Sequence, residues 1–156
     1  MTYIFDCNSF LELEAYYPVT FPSFWERFND LVAEGRVLSV SEAFKELNNQ
    51  ARSEHLIDWL EANQTIFTPP SPPEQQYVSE IFAVPHFRQL VGRKQLERGM
   101  PVADPFLVAK GRHLGACVVS EETAKPNSAK IPNVCGHFGV ECVKLRSVFE
   151  REGWRF

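Results

Sequence analysis

Acidic residues stand in this chain where a folded sheet would bring reactive groups together. Asp6 follows the apolar run Tyr3-Ile4-Phe5, and Asp104 precedes Pro105-Phe106-Leu107-Val108-Ala109. Glu121 and Glu122 follow the run Gly115 to Ser120, and Glu42 follows Ser39-Val40-Ser41. Each has an ordinary reading by itself. An Asp after a strand is more often a turn residue or a helix cap than a reactive group. Asp104 before a proline suits an N-cap, and Ser39-Val40-Ser41-Glu42 has the form of a capping box. The joint pattern suggests different chemistry. Carboxylates a few ångströms apart repel, and one pKa rises unless a cation joins them. A hard divalent cation with oxygen ligands resolves the repulsion, and Mg²⁺ keeps waters while taking few carboxylates. Such a cation can activate water and stabilise the leaving oxygen of a phosphodiester.

Apolar spacing predicts the elements that must position these acids. Tyr3-Ile4-Phe5 suits a short buried strand, although three residues fit a helix as well. Residues 8–15 can form a short helix ahead of Pro18 and Pro22. Ser23-Phe24-Trp25-Glu26 has capping-box form, and the apolar positions after it predict a helix stopped by Gly35. Val37-Leu38 is a short extended piece, and Val40, Phe44 and Leu47 give the next helix a narrow apolar face. Residues 54–62 predict a helix with Leu56, Ile57 and Leu60 inward, and residues 64–68 a strand. Pro69 to Pro73 reads as a stiff connector. A helix resumes near Glu74, breaks or kinks at Pro85, and is followed by another over 86–98. After the helix begun at Asp104 come a strand over 115–120, a polar loop over 123–130, a strand over 140–145 and a helix over 147–152.

Strands and helices alternate, which places the chain in the α/β class, one domain over residues 1–156 with a mostly parallel central sheet flanked by helices. In such a sheet, working residues collect just past the carboxyl ends of the strands. Asp6 and the pair Glu121-Glu122 would lie at that edge, with Asn8 close enough to hold or orient Asp6.

Composition narrows the function classes. The 156 residues carry 16 Lys and Arg against 20 Asp and Glu, a net charge of −4. That balance is unusual for a nucleic-acid binder, but two bound divalent cations would bring the complex to roughly neutral. Arg88, Arg93, Lys94, Arg98, Lys110 and Arg112 could then guide a phosphate backbone, though solvated helix faces are the plainer reading of each. No apolar run reaches the roughly 18 residues of a membrane span, and the N-terminus lacks signal-peptide features, so the cytoplasm is the expected address. The four cysteines form no CxxC pair and read as reduced thiols. No phosphate-binding glycine motif or GxSxG nucleophile motif is present.

The segments Tyr3-Ile4-Phe5-Asp6-Cys7-Asn8, Ser41-Glu42, Ala103 to Ala109 and Val118-Val119-Ser120-Glu121-Glu122 together resemble PIN domains. These are metal-dependent nucleases familiar as VapC-type toxins. The resemblance runs nearly end to end, and Ile131 to Cys135, Phe138-Gly139-Val140 and Glu152 to Phe156 are similar to an uncharacterised bacterial PIN subfamily. It implies a PIN-like fold with Asp6, Glu42 and Asp104 as the acidic core of a Mg²⁺ or Mn²⁺ site. Asn8 is then a group that orients Asp6 or a bound water. The family's Thr-x-Asp aligns Ser120 with the Thr and Glu122 with the Asp, leaving Glu121 as a possible substitute, and Asn133 is a further candidate to reach the site. The implied activity is endoribonuclease hydrolysis of RNA, in the toxin of a type II toxin–antitoxin pair. Its implied partners are a cognate antitoxin and a second copy in a homodimer. The aromatic-rich helices at 24–32 and 77–91 would offer a face for either, unless they simply pack into the core. The longer Glu122 keeps a second expectation alive, a catalytically inactive PIN fold that binds or regulates.

Overall fold

The computed structural model describes residues 1–91 and 102–156. The second half of the helix expected over 86–98, with Leu96, Arg93, Lys94 and Arg98, lies outside the described residues.

Among the described residues, five short strands make one sheet: β1 (Tyr3–Phe5), β2 (Val37–Val40), β3 (Phe67–Thr68), β4 (Cys117–Val119) and β5 (Cys142–Val143). Their order is β3-β2-β1-β4-β5, and every pairing is parallel. The chain therefore walks outward from β1 to β2 and β3, then returns to lay β4 on the other side of β1. That reversal opens a crevice at the carboxyl ends of β1 and β4, the place where open parallel sheets bind ligands. Asp6 and Ser120 are the first residues past those two ends.

Tyr3, Ile4 and Phe5 are all fully buried because helices cover both faces of the sheet. The α-helices of the described residues are α1 (Cys7–Glu12), α2 (Pro22–Ala33), α3 (Ser41–Gln50), α4 (Glu54–Ala62), α5 (Pro72–Ala83), α6 (Asp104–Leu114), α7 (Ile131–His137) and α8 (Leu145–Arg151). The architecture is α/β with an all-parallel sheet, consistent with a PIN-like fold. Aromatic packing holds one side together: Phe5 meets Phe10 and Phe28 at ring-centroid distances of 5.2 and 5.7 Å. Phe24, Trp25, Phe28 and Leu31 of α2 are buried in this cluster, and Val78 and Ile81 of α5 are buried as well. The aromatic face of α2 thus packs into the core. The C-terminal Trp154 and Phe156 rings pack edge-on against Phe24 at 6.0 and 5.9 Å, so that segment contributes to packing.

Several boundaries differ from the sequence-based expectation, each for a local reason. The Ser23 capping box does not form, because Pro22 occupies the first turn and Phe21 is the N-cap without a side-chain bond. The Ser39 box does not form either. Ser39 lies inside β2, fully buried, and its hydroxyl donates to the Phe5 carbonyl at 2.8 Å. A box forms instead at Ser71, whose oxygen accepts from the Glu74 amide at 3.4 Å while its hydroxyl donates to the Glu74 carboxylate at 2.6 Å. Residues 64–66 make a 3₁₀ turn, leaving only Phe67 and Thr68 in the strand. Ile57 faces solvent at 42% exposure, while Leu56 and Leu60 face inward. Residues 131–137 form the unexpected helix α7, with Pro132 in its first turn, where a missing N–H costs nothing. The last strand spans only Cys142–Val143, since α8 already begins at Leu145. Among the described residues, no helix is long and apolar enough to cross a membrane.

Candidate functional site

The crevice at the sheet edge is a cleft of about 180 Å³ whose acidic lining comes from four elements. Asp6 enters from the end of β1, Glu46 from the middle of α3, Asp104 from the start of α6, and Glu122 from the turn after β4.

Asp6 is only 2% exposed and serves as the N-cap of α1. Its Oδ1 accepts the Ser9 amide at 2.7 Å, and the nearby Ser120 side chain favours its charged form. Ser9 in turn donates its hydroxyl to the Val119 carbonyl at 3.0 Å, tying α1 to the end of β4. Burial raises the Asp6 pKa, the two serines oppose that rise, and the charge of Glu122 adds to it.

Asp104 is the first residue of α6 and makes no cap bond, with Ala103 as the N-cap. The N-cap role expected of it is therefore not played. Burial pushes its carboxyl up to about 8, and the neighbouring charges of Glu122, Glu46 and Asp6 add to the effect. Glu46 is also raised, by burial first, despite bonds from Cys7 and Ala103. The Cys7 thiol donates to Glu46 Oε2 at 2.9 Å, and the Ala103 amide donates to Oε1 at 3.2 Å.

The other expected site residues are placed differently. Glu42 is not part of the cleft lining; its Oε1 accepts Lys45 at 2.8 Å and its Oε2 accepts the Val102 amide at 3.3 Å. The acid that reaches the cleft from α3 is Glu46, one helical turn later on the same face. That i,i+4 pairing was visible in the sequence. Glu122 lines the cleft, with its Oε2 also accepting the Ile131 amide at 2.9 Å. Glu121 turns aside and accepts the Leu145 amide at 2.7 Å, starting α8. Asn8 borders the cleft but is exposed, and the group that bonds the Asp6 carboxylate is the Ser9 amide. Asn133 spends its amide on the backbone of Lys125, accepting from its N–H at 3.4 Å and donating to its carbonyl at 2.7 Å. Two of the basic candidates are also committed. Lys110 is buried against Thr68 and Glu74, and Arg112 pairs with Glu80 and lies over the Tyr77 ring.

A family model described as a domain of unknown function, DUF4411, matches residues 3–156. The chain belongs to this family. No curated protein matches the chain.

The cleft residues fit a hard divalent cation in kind: four carboxylates, two of them in the first turn after a strand, with mutual repulsion that a positive charge would relieve. They do not form a closed cage, since among the described residues no three Asp, Glu, His or Cys side chains converge as ligands. Mg²⁺ does not need one, because it is commonly held by one or two carboxylates and completes its shell with water.

Proposed function

We propose that this protein is a divalent-metal-dependent endoribonuclease whose Mg²⁺ or Mn²⁺ binds in the cleft lined by Asp6, Glu46, Asp104 and Glu122, with one or two of these carboxylates as direct ligands and water completing the shell. One observation carries the reading: acids from four elements share one cleft at the switch point of a parallel sheet. The raised Asp104 carboxyl supports it, because a buried acid among acids keeps its proton in metal-free protein and a bound cation would relieve the burial and repulsion enough for it to ionise. The resemblance to PIN domains supplies the reaction, in-line hydrolysis of an RNA phosphodiester by water.

The cation, when bound, would acidify water and neutralise charge on the leaving oxygen. The chain's own groups hold the donors in place. The Ser9 amide fixes Asp6, Cys7 and Ala103 fix Glu46, and the Ile131 amide fixes one oxygen of Glu122. Such partners keep ligands from having to reorganise on binding. No serine, cysteine or histidine nucleophile is needed. A toxin role in the cytoplasm, an antitoxin partner and a homodimer follow from the resemblance alone.

The test is cleavage of a mixed RNA pool by purified protein with Mg²⁺ or Mn²⁺, beside EDTA and Asp6→Asn controls. Metal-dependent cutting that falls to background in the variant is expected. Cutting that survives both controls contradicts the assignment. A second reading, a catalytically inactive fold that binds or regulates, is favoured by the engagement of both Glu46 oxygens and one Glu122 oxygen with protein donors. It predicts no cutting under any metal.

A further inference from the structure

Glu42 and Glu46 lie one turn apart on α3, and both reach the two residues that lead into α6. Glu42 Oε2 accepts from Val102 at 3.3 Å and Glu46 Oε1 from Ala103 at 3.2 Å. Each carboxylate is steadied from its other oxygen, Glu42 by Lys45 at 2.8 Å and Glu46 by the Cys7 thiol at 2.9 Å. Asp104 is the next residue along the chain. Its helix begins without a side-chain cap, so no side-chain bond at the N-cap fixes where α6 starts. Successive Cα atoms are about 3.8 Å apart, so holding the amides of residues 102 and 103 restrains the chain directly before Asp104 and limits how far its Cα can move.

We propose that Glu42 is a positioning residue and not a metal ligand: with Glu46 it clamps successive amides of the 102–103 segment and so sets Asp104 in the cleft. The functional half of this proposal rests on the reading of the cleft as a metal site. The two roles make opposite demands on the side chain. Accepting an N–H needs an oxygen, which glutamine retains at reduced strength. Ligating a hard cation among few ligands draws on the negative charge, so a glutamine ligand, neutral, would bind it much more weakly.

The experiment compares the parent with Glu42→Gln, Glu42→Ala and Asp104→Asn by two readouts. One is hydrogen–deuterium exchange of the Val102 amide in metal-free protein, and the other is Mn²⁺ affinity by titration calorimetry. Glu42→Gln is expected to keep Val102 protected and Mn²⁺ affinity within about threefold of the parent, while Glu42→Ala speeds Val102 exchange and weakens Mn²⁺ about tenfold. A Glu42→Gln protein as defective in Mn²⁺ binding as Asp104→Asn makes Glu42 a ligand and overturns the proposal. Unchanged Val102 exchange in Glu42→Ala overturns it as well. A parent that binds no Mn²⁺ defeats the metal-site reading, and the clamp is then decided by Val102 exchange alone.

Discussion

Asp6 and Asp104 face the same cleft but are compensated differently. Asp6 has the Ser9 amide and the Ser120 hydroxyl to offset its burial, whereas the charges acting on Asp104 from its neighbours are all negative. The consequence can be read in a melting curve. A folded-state pKa near 8 against an ordinary value of 3.8 means that the folded protein keeps this proton where the unfolded chain has lost it. Stability from this group is therefore full below about pH 4 and drains away as pH rises towards 8. In metal-free protein, Asp104→Asn should melt a few degrees above the parent at pH 8 and level with it near pH 4. Thermal denaturation followed by circular dichroism at both pH values checks this. An equal gap at the two would show that the carboxyl is not under repulsion. Residue-level chemistry was only partly legible in the sequence. Asp6 and Asp104 could be found from their place beside apolar runs. Which of Glu121 and Glu122 faces the cleft depends on the turn after β4, where the Ser120 oxygen accepts the Glu122 amide, and apolar spacing does not encode that bond.

At the scale of elements, α6 brings Asp104 to the cleft only if it can lie close against the sheet. Gly111 permits that approach: a Cβ there would come within 2.6 Å of Val118 Cγ2 on β4 and 3.2 Å of Val140 Cγ1. Gly111→Ala should destabilise the fold by about 1–3 kcal/mol through overpacking, measured by urea denaturation. A neutral outcome would mean that α6 has room to shift. A second element depends on a single carboxylate. Glu14 Oε2 accepts the Arg52 and Ser53 amides at 2.8 and 2.6 Å and the Ser53 hydroxyl at 2.8 Å, organising the start of α4. Burial alone would raise its pKa, but these donors hold it below the usual value. A depressed carboxylate stabilises above its unfolded pKa, and that contribution is lost as pH falls through the folded one. Glu14→Gln should therefore melt below the parent at pH 7, with the gap closing below about pH 4.5. A gap independent of pH would contradict the account. The existence of α2, α4 and α5 was legible because long amphipathic repeats dominate their sequences. Their starts were not: the buried Ser39 hydroxyl found a carbonyl across the sheet, and Pro22 fixed α2 before Ser23 could cap it.

For the whole molecule, alternation of strand and helix was enough to place the class, while the strand order was not readable from it. The order matters most for function, because placing β4 beside β1 brings Asp6 and Glu122 together across 116 positions of sequence. It also decides which charges matter. The net charge of −4 is partly concentrated in one cleft, where cations would offset it. The central claim is that this cleft is where the divalent metal binds. Mn²⁺ titration of the parent, Asp6→Asn, Glu46→Gln and Glu121→Gln tests it most directly. The parent and Glu121→Gln should bind alike, and the other two should lose binding. Four proteins that bind equally, or a parent that binds no Mn²⁺, would contradict it.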